Sequence, residues 1–333
     1  SNVGLFELSP FSKFDLKGEK AHEELQILCT ANIPNEPGKI KYTQMLNKDG
    51  GIETDLTVIC IEKNYFRIVS SAANREHDKF HILKHISKDV KLTDVTEDYC
   101  CLGLFGPKSR DMISSISSDD FSNENFKFAT AKFVKINDVE VWAQRISYVG
   151  ELGFELYVKK ENALKLFDIL IDKGKSFKLS LCGMHAMDIM RMESGYLHWG
   201  HDISPEENQF EAGLSFAVSF KKNINFIGRA ALEKKRDKKD HKKFKMLILN
   251  HSKEGAPLLL HDEPIYLKDK IVGHTTSGCY SFNYNKNLAF GYINSGLTSD
   301  QIDKQAFEIE VEKEKYSASV ITRPLNDKKL SSL

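Results

Sequence analysis

Three carboxylates, Asp55, Glu151 and Glu193, and three aromatic residues, Tyr42, Tyr148 and Trp199, are the side chains in this 333-residue sequence whose type and setting suit chemistry. Asp55 interrupts a β-branched apolar run, ETDLTVICI (53–61). A carboxylate in such a run loses hydration and costs free energy unless it is hydrogen-bonded or charge-paired. A cationic ligand or intermediate is one way to offset that cost. A lone carboxylate more often solvates a turn or satisfies backbone donors, so residue type by itself leaves the role of Asp55 open. Glu193 closes a helical stretch just before Gly195, where the helix dipole mildly disfavours it and solvation would explain it. His77, His81 and His85 recur at intervals of four, close enough on a helix for two to share a metal. No third ligand type stands nearby, so the reading is an exposed polar face opposite Phe80 and Ile82, with no metal.

The elements that must hold these residues follow from pattern. KYTQML (41–46), the turn NKDGG (47–51) and the run from Ile52 to Ile61 predict a hairpin, with glycines free to take positive φ. Phe6, Leu8, Phe14 and Leu16 alternate about a Ser-Pro turn and predict two short strands. Helices are expected over 21–33, over 74–86 with Asn74 as N-cap, and over 108–116, 161–174, 183–194 and 229–236. The Met residues of the 183–194 helix read as core filler. YFRIVS (65–70), 100–105 and the long 126–159 region read as β structure, and 195–218 as a loop leading into an apolar strand. From Phe244 onward short strands and turns recur, which predicts a small barrel or sandwich.

The totals exclude several classes. Lys+Arg 47 balances Asp+Glu 47, so no global charge points to nucleic acid. The basic run KKRDKKDHKK (234–243) lacks interleaved aromatics and reads as a solvated linker. There is no GxGxxG after a strand, no GxxxxGK[ST], no GxSxG and no HExxH, against a nucleotide-dependent oxidoreductase, a kinase, a serine hydrolase or a zincin. The six cysteines form no CxxC pair and read as reduced, buried thiols. No apolar run approaches the roughly 20 residues of a membrane span. No charged segment followed by an apolar core marks a secretory leader. The expectation is a cytoplasmic protein, or one of the mitochondrial matrix in a eukaryote. The first residue is not Met, which suggests processing, a tag scar or a cut from a longer chain.

Six motifs, in order, carry a resemblance: FELSP (6–10), YTQMLNKDGGIETDL (42–56), SYVGELGFEL (147–156), RMESGYLHWGHDI (191–203), EAGL (211–214) and GHTTSG (273–278). The chain resembles the folate-dependent aminomethyltransferase family, whose type member is the T-protein of the glycine cleavage system. Its likeness is closest to the folate-binding C-terminal half of sarcosine and dimethylglycine dehydrogenases. The resemblance implies an α+β fold, a three-domain cloverleaf of the T-protein type with two α+β domains plus a C-terminal small β-barrel. It implies two interleaved α+β subdomains over 1–238 and the barrel over 239–333. Tetrahydrofolate is the implied cofactor, bound in a central hole, with a one-carbon donor as co-substrate.

By position, Asp55 falls on the family's catalytic aspartate, while Thr54 stands where the family has a first acid. Tyr42, Ser71, Tyr148, Glu151, Glu193, Trp199 and Arg323 fall on folate-site positions. Ser71 stands where the family often has Asn, and Lys328 is the alternative to Arg323 for the folate tail. The T-protein's first segment and the dehydrogenases' flavin-binding half have no counterpart here. The implied activity is one-carbon transfer giving 5,10-methylenetetrahydrofolate, in glycine, sarcosine or dimethylglycine catabolism. A flavin oxidase domain or a lipoyl carrier protein is the implied partner. The alternatives are a folate-dependent demethylase and a folate-binding module without transferase activity.

Overall fold

The computed structural model describes residues 2–236 and 241–333. The expected boundary at 238/239 and the middle of the basic run lie outside the described residues.

The first two strands separate rather than pair. β1 (Val3–Glu7) and β2 (Ser12–Lys17) enter different sheets. After α1 (Ala21–Leu28) comes the hairpin β3 (Ile40–Leu46) and β4 (Ile52–Glu62), then β5 (Tyr65–Ser70), α2 (Arg75–His85) and β6 (Lys91–Asp94). These build a five-stranded sheet in the order β3-β4-β5-β2-β6. β7 (Tyr99–Phe105) returns to β1. After α3 (Ser109–Ser114), β8 (Ala131–Ile136), β9 (Val139–Gln144) and β10 (Gly153–Lys159) extend that second sheet. α4 (Ala163–Phe177) and β11 (Leu179–Cys182) complete it, in the order β11-β1-β7-β10-β9-β8. β11 runs parallel to β1, a strand that the sequence reading did not anticipate.

The alternation of β4 assigns its two faces. Leu56, Val58 and Cys60 pack with Leu25, Leu28 and Ile82 under α1 and α2. Ile59 packs with Phe6, Trp142 and Tyr157 between the two sheets. Asp55 shares the parity of Ile59 and so lies on the inter-sheet face.

α5 (Met184–Glu193) and α6 (Arg229–Arg236) flank a long irregular segment. The apolar strand expected near 214–218 is instead a 3-10 turn, Ser215–Ala217. Phe216 there is exposed. β12 (Lys243–Leu249), β13 (Pro264–Leu267), β14 (Lys270–Ser281), β15 (Lys286–Ile293), β16 (Ala306–Val311) and β17 (Glu314–Ile321) close a six-stranded barrel, with the short α7 (Ser299–Ile302) before β16. Met192 on α5 packs into the barrel wall with Cys279, Leu288 and Phe290. Of the Met residues expected as core filler, Met187 is buried with Phe6 and Trp142, whereas Met184 is exposed.

α2 corrects the sequence reading. Its buried side is Asp78, His81 and Ile82, while Phe80 is 68% exposed. Asn74 holds the N-cap position but makes no side-chain cap bond, because a 3-10 turn leads into the helix. Among the described residues no group of three His, Cys, Asp or Glu could hold a metal, and all six cysteines are free. No described helix is long and apolar enough to cross a membrane.

Candidate active site

The turn that presents Asp55 is built by its own side chains. Asn47 Oδ1 accepts the backbone N–H groups of Asp49 (3.0 Å) and Gly51 (2.9 Å). Gly50 sits at φ +78, and a Cβ on Gly51 would lie 1.9 Å from the Pro205 carbonyl. Both glycines are therefore required, one by conformation and one by the close pass of the 195–214 segment. That segment also grips the start of β4. Ile52 donates its N–H to the Glu207 carbonyl at 2.9 Å, and Trp199 Nε1 donates to the Ile52 carbonyl at 3.1 Å.

Gln44 stands opposite Asp55 in the ladder, and its Nε2 donates to Asp55 Oδ1 at 2.9 Å. The Tyr42 hydroxyl faces the same carboxylate. Burial pushes the Asp55 carboxyl up to about 6, opposed by Gln44 and Tyr42, with a further lift from Asp78. Asp55 therefore remains mostly ionised at neutral pH, yet accepts a proton far more readily than a free aspartate. Burial, followed by the charge of Asp55, holds the Tyr42 phenol well above its usual range, so Tyr42 stays a donor. The Tyr42 ring lies 6.2 Å from that of Phe216 at 25°. Gln44 is fully buried, and its Oε1 has no hydrogen-bond partner among the described residues. Neither Gln44 nor Asp78 stood out in the sequence; the i-to-partner register of the hairpin would have found Gln44.

Tyr148 links this group to the next. Its hydroxyl donates to the Leu197 carbonyl at 2.9 Å, and its ring lies 6.1 Å from Tyr196 at 23°. Burial is the main influence on its phenol, which also feels Arg191, Asp202 and Asp55.

Glu193 is not a solvated helix end. It is 2% exposed, and Oε1 accepts Ser281 Oγ at 2.6 Å. Asn283 Nδ2 reaches both carboxylate oxygens, at 3.2 and 2.9 Å. The barrel thus covers this acid. Glu151 pairs with Lys328, and Tyr284 lies among Glu193, Lys328 and Glu151. The structure gathers Asp55, Tyr42 and Tyr148 in one place and Glu193 with Glu151 in another. Trp199 braces the base of β4, and Ser71 follows β5, its carbonyl accepting Ser12 Oγ at 2.9 Å. Arg323 stands on the surface, 83% exposed, with its guanidinium 3.9 Å from Asp327.

A further carboxylate, absent from the sequence reading, organises the junction. Asp202 is fully buried and pairs with Arg191 at 2.6 Å. It also accepts Thr276 Oγ1 (2.5 Å), Ser277 Oγ (2.8 Å) and the His198 N–H (2.9 Å). Arg191 in turn donates to Asp188, to the Tyr196 carbonyl and to Ser277. The RMESG, GHD and GHTTSG motifs are therefore three sides of one lock between helix, loop and barrel.

Two sheets closed on a half-buried carboxylate, with a barrel locked to the helix behind them, define an enzyme of the aminomethyltransferase class. The chain belongs to the glycine cleavage T-protein family. The GCVT N-terminal domain matches residues 1–222, and the glycine cleavage T-protein C-terminal barrel domain matches 242–327. The chain is 34% identical to a 4-methylaminobutanoate oxidase (formaldehyde-forming) of Paenarthrobacter nicotinovorans, over 98% of this chain and 39% of that protein. It is 32% identical to the mitochondrial dimethylglycine dehydrogenase of Rattus norvegicus, over 97% and 37%. It thus spans about two fifths of the length of these curated relatives. An aminomethyltransferase of Anoxybacillus flavithermus is 29% identical over 97% of this chain and 87% of its own. The structure of glycine cleavage system aminomethyltransferase T from Bartonella henselae superposes with a TM-score of 0.85 at 21% identity, covering 98% and 87%. That likeness confirms the α+β fold with its C-terminal barrel.

Proposed function

We propose that this chain binds tetrahydrofolate and transfers a one-carbon unit onto it, giving 5,10-methylenetetrahydrofolate. The observation that carries this reading is Asp55, a carboxylate on the inter-sheet face that burial pushes up to about 6 and that has no cation partner among the described residues. When bound, tetrahydrofolate supplies two nitrogens able to hold a one-carbon unit between them. The chain's residues suit it. Gln44 Oε1 is a buried acceptor without a partner, ready for an N–H donor. Tyr42 and Tyr148 offer ring faces to a flat heterocycle.

Asp55 holds negative charge where positive charge develops during transfer, and takes the proton released from nitrogen. Gln44 and Tyr42 orient its carboxylate, so that no reorganisation is needed at the moment of reaction. A carboxylate has about four acceptor positions. Glu193 uses three of them on Ser281 and Asn283, which leaves one for a ligand N–H. Ser71 and Glu151 line the same approach in this reading, and Trp199 acts through β4. Lys328 is engaged by Glu151 while Arg323 is loosely paired, so Arg323 is the freer cation for an anionic folate tail.

The donor we favour is the imine produced when a flavin domain oxidises an N-methylated amino acid. Relatives named as dimethylglycine dehydrogenase and 4-methylaminobutanoate oxidase match almost the whole chain. An aminomethyl group on a lipoyl carrier is the second reading, favoured by the near full-length match to an aminomethyltransferase. Titration calorimetry with tetrahydrofolate, followed by product assay with each donor, tests the proposal. Binding with product from either donor supports it, and absence of heat with folate overturns it.

A further inference from the structure

β4 carries three consecutive polar residues, Glu53, Thr54 and Asp55, and α2 grips the first two from behind. Thr54 Oγ1 donates to Asp78 Oδ1 at 2.9 Å. His77 Nδ1 lies 3.1 Å from that same oxygen, and His77 Nε2 lies 3.0 Å from Glu53 Oε1. Asp78 is 2% exposed on the helix-facing side of the sheet. A buried carboxylate there is costly unless it is paired, and an apolar residue would pack as well. We propose that Asp78 is a positioning residue for Asp55, acting from α2 through Thr54, with His77 as its counter-charge. This rests on the reading of Asp55 as the reacting carboxylate.

The geometry gives Asp78 two levers. It fixes the backbone of β4 next to Asp55 through Thr54, and its charge bears on Asp55 through the strand. Asp55 faces Tyr42 and Gln44 from β3 and Tyr148 from the loop before β10, and it feels the charge of Asp78 from α2 across the strand. His77 faces Glu53 from β4, Asp78 and His81 on its own helix, and the Trp199 ring at 6.0 Å. Burial opposes the imidazolium, but Asp78 and Glu53 outweigh it and hold His77 above its usual value. A protonated His77 therefore damps the field of Asp78 at Asp55.

The variants Asp78→Asn and His77→Gln separate these levers by sign. Removing the Asp78 charge moves the acid limb of the kcat/KM profile to lower pH by roughly half a unit, and removing the His77 charge moves it to higher pH by a similar amount. Thr54→Val keeps every charge; it lowers kcat roughly tenfold through misplacement, with an unmoved limb and a tetrahydrofolate Kd within about threefold. Superposable profiles for the two charge variants, or shifts in one direction for both, overturn the proposal. If Asp78→Asn does not fold, His77→Gln and Thr54→Val carry the same test. Full transfer by Asp55→Asn defeats the underlying reading instead. The carboxyl carbon titration of Asp55 by NMR needs no activity and still decides the coupling, since an unchanged titration in Asp78→Asn rules it out.

Discussion

Asp55 and Asp202 are carboxylates inside the same protein, and their donors make them opposites. Asp202 is sealed from water, pairs with Arg191 at 2.6 Å and collects two hydroxyls and a backbone N–H. Asp55 has one amide donor at 2.9 Å, a facing phenol and no cation among the described residues, and burial lifts it to about 6. A saturated acid holds structure together, whereas an under-served acid keeps acceptor capacity for something that arrives later. The comparison also explains why the two occur in different settings. Asp202 joins a helix, a loop and a barrel strand, whereas Asp55 sits on a strand beside a turn that presents it to the inter-sheet face.

The largest effect that tests this contrast is catalytic. Asp55→Asn is expected to lower transfer by about 10²–10⁴-fold while tetrahydrofolate affinity stays within a few-fold, measured by product formation and calorimetry on the same preparation. Unchanged turnover would place Asp55 with the structural acids and end the comparison.

Next comes stability at the lock. Arg191→Met strands the buried Asp202 charge and is expected to cost about 3–5 kcal/mol in urea denaturation, much of it recovered when Asp202→Leu is added. A single-variant loss below about 1 kcal/mol would show that the lock holds little.

A smaller effect has the opposite sign. Because the folded pKa of Asp55 lies above its ordinary 3.8, the native state binds the extra proton between about pH 4 and 6. Its ionisation lowers stability as pH rises through that window, and the deficit is complete above it. Asp55→Asn is thus expected to be more stable than the parent at pH 7.5 by about 1–2 kcal/mol, discounted for the half-open setting, with the difference closing near pH 4. Parallel denaturation curves at both pH values would contradict this. The smallest expected effect is Trp199→Phe, which keeps the ring and loses the bond to the Ile52 carbonyl, at about 1 kcal/mol.

Much of this was legible in sequence because local chemistry set it. NKDGG specified its turn, and Val and Ile runs specified strands. The barrel announced itself through recurrent short strands, and the six motifs led to the family. Asp78 was hidden because its partner Thr54 lies 24 residues away on another element. Asp202 was hidden because its donors come from positions 191, 276 and 277. Pairing across such distances leaves no periodic trace. The face of α2 was misread for a related reason: its histidines suggested solvent, yet Asp78 and His81 turn inward and Phe80 outward. Glu193 was read as solvated because nothing near it in sequence reveals that Ser281 and Asn283 cover it.

β1 lies in the interior of its sheet, flanked by β7 and β11. Its parallel partner begins at Leu179, so during synthesis β1 waits for a strand made some 175 residues later. At about 5–20 residues per second that interval is roughly ten to forty seconds. Throughout it Val3 and Leu5 lack their final neighbours, so the nascent chain carries an open β edge that chaperones would be expected to shield. Slow translation just before the codons of β11 should therefore hinder maturation more than the same pause placed within the barrel.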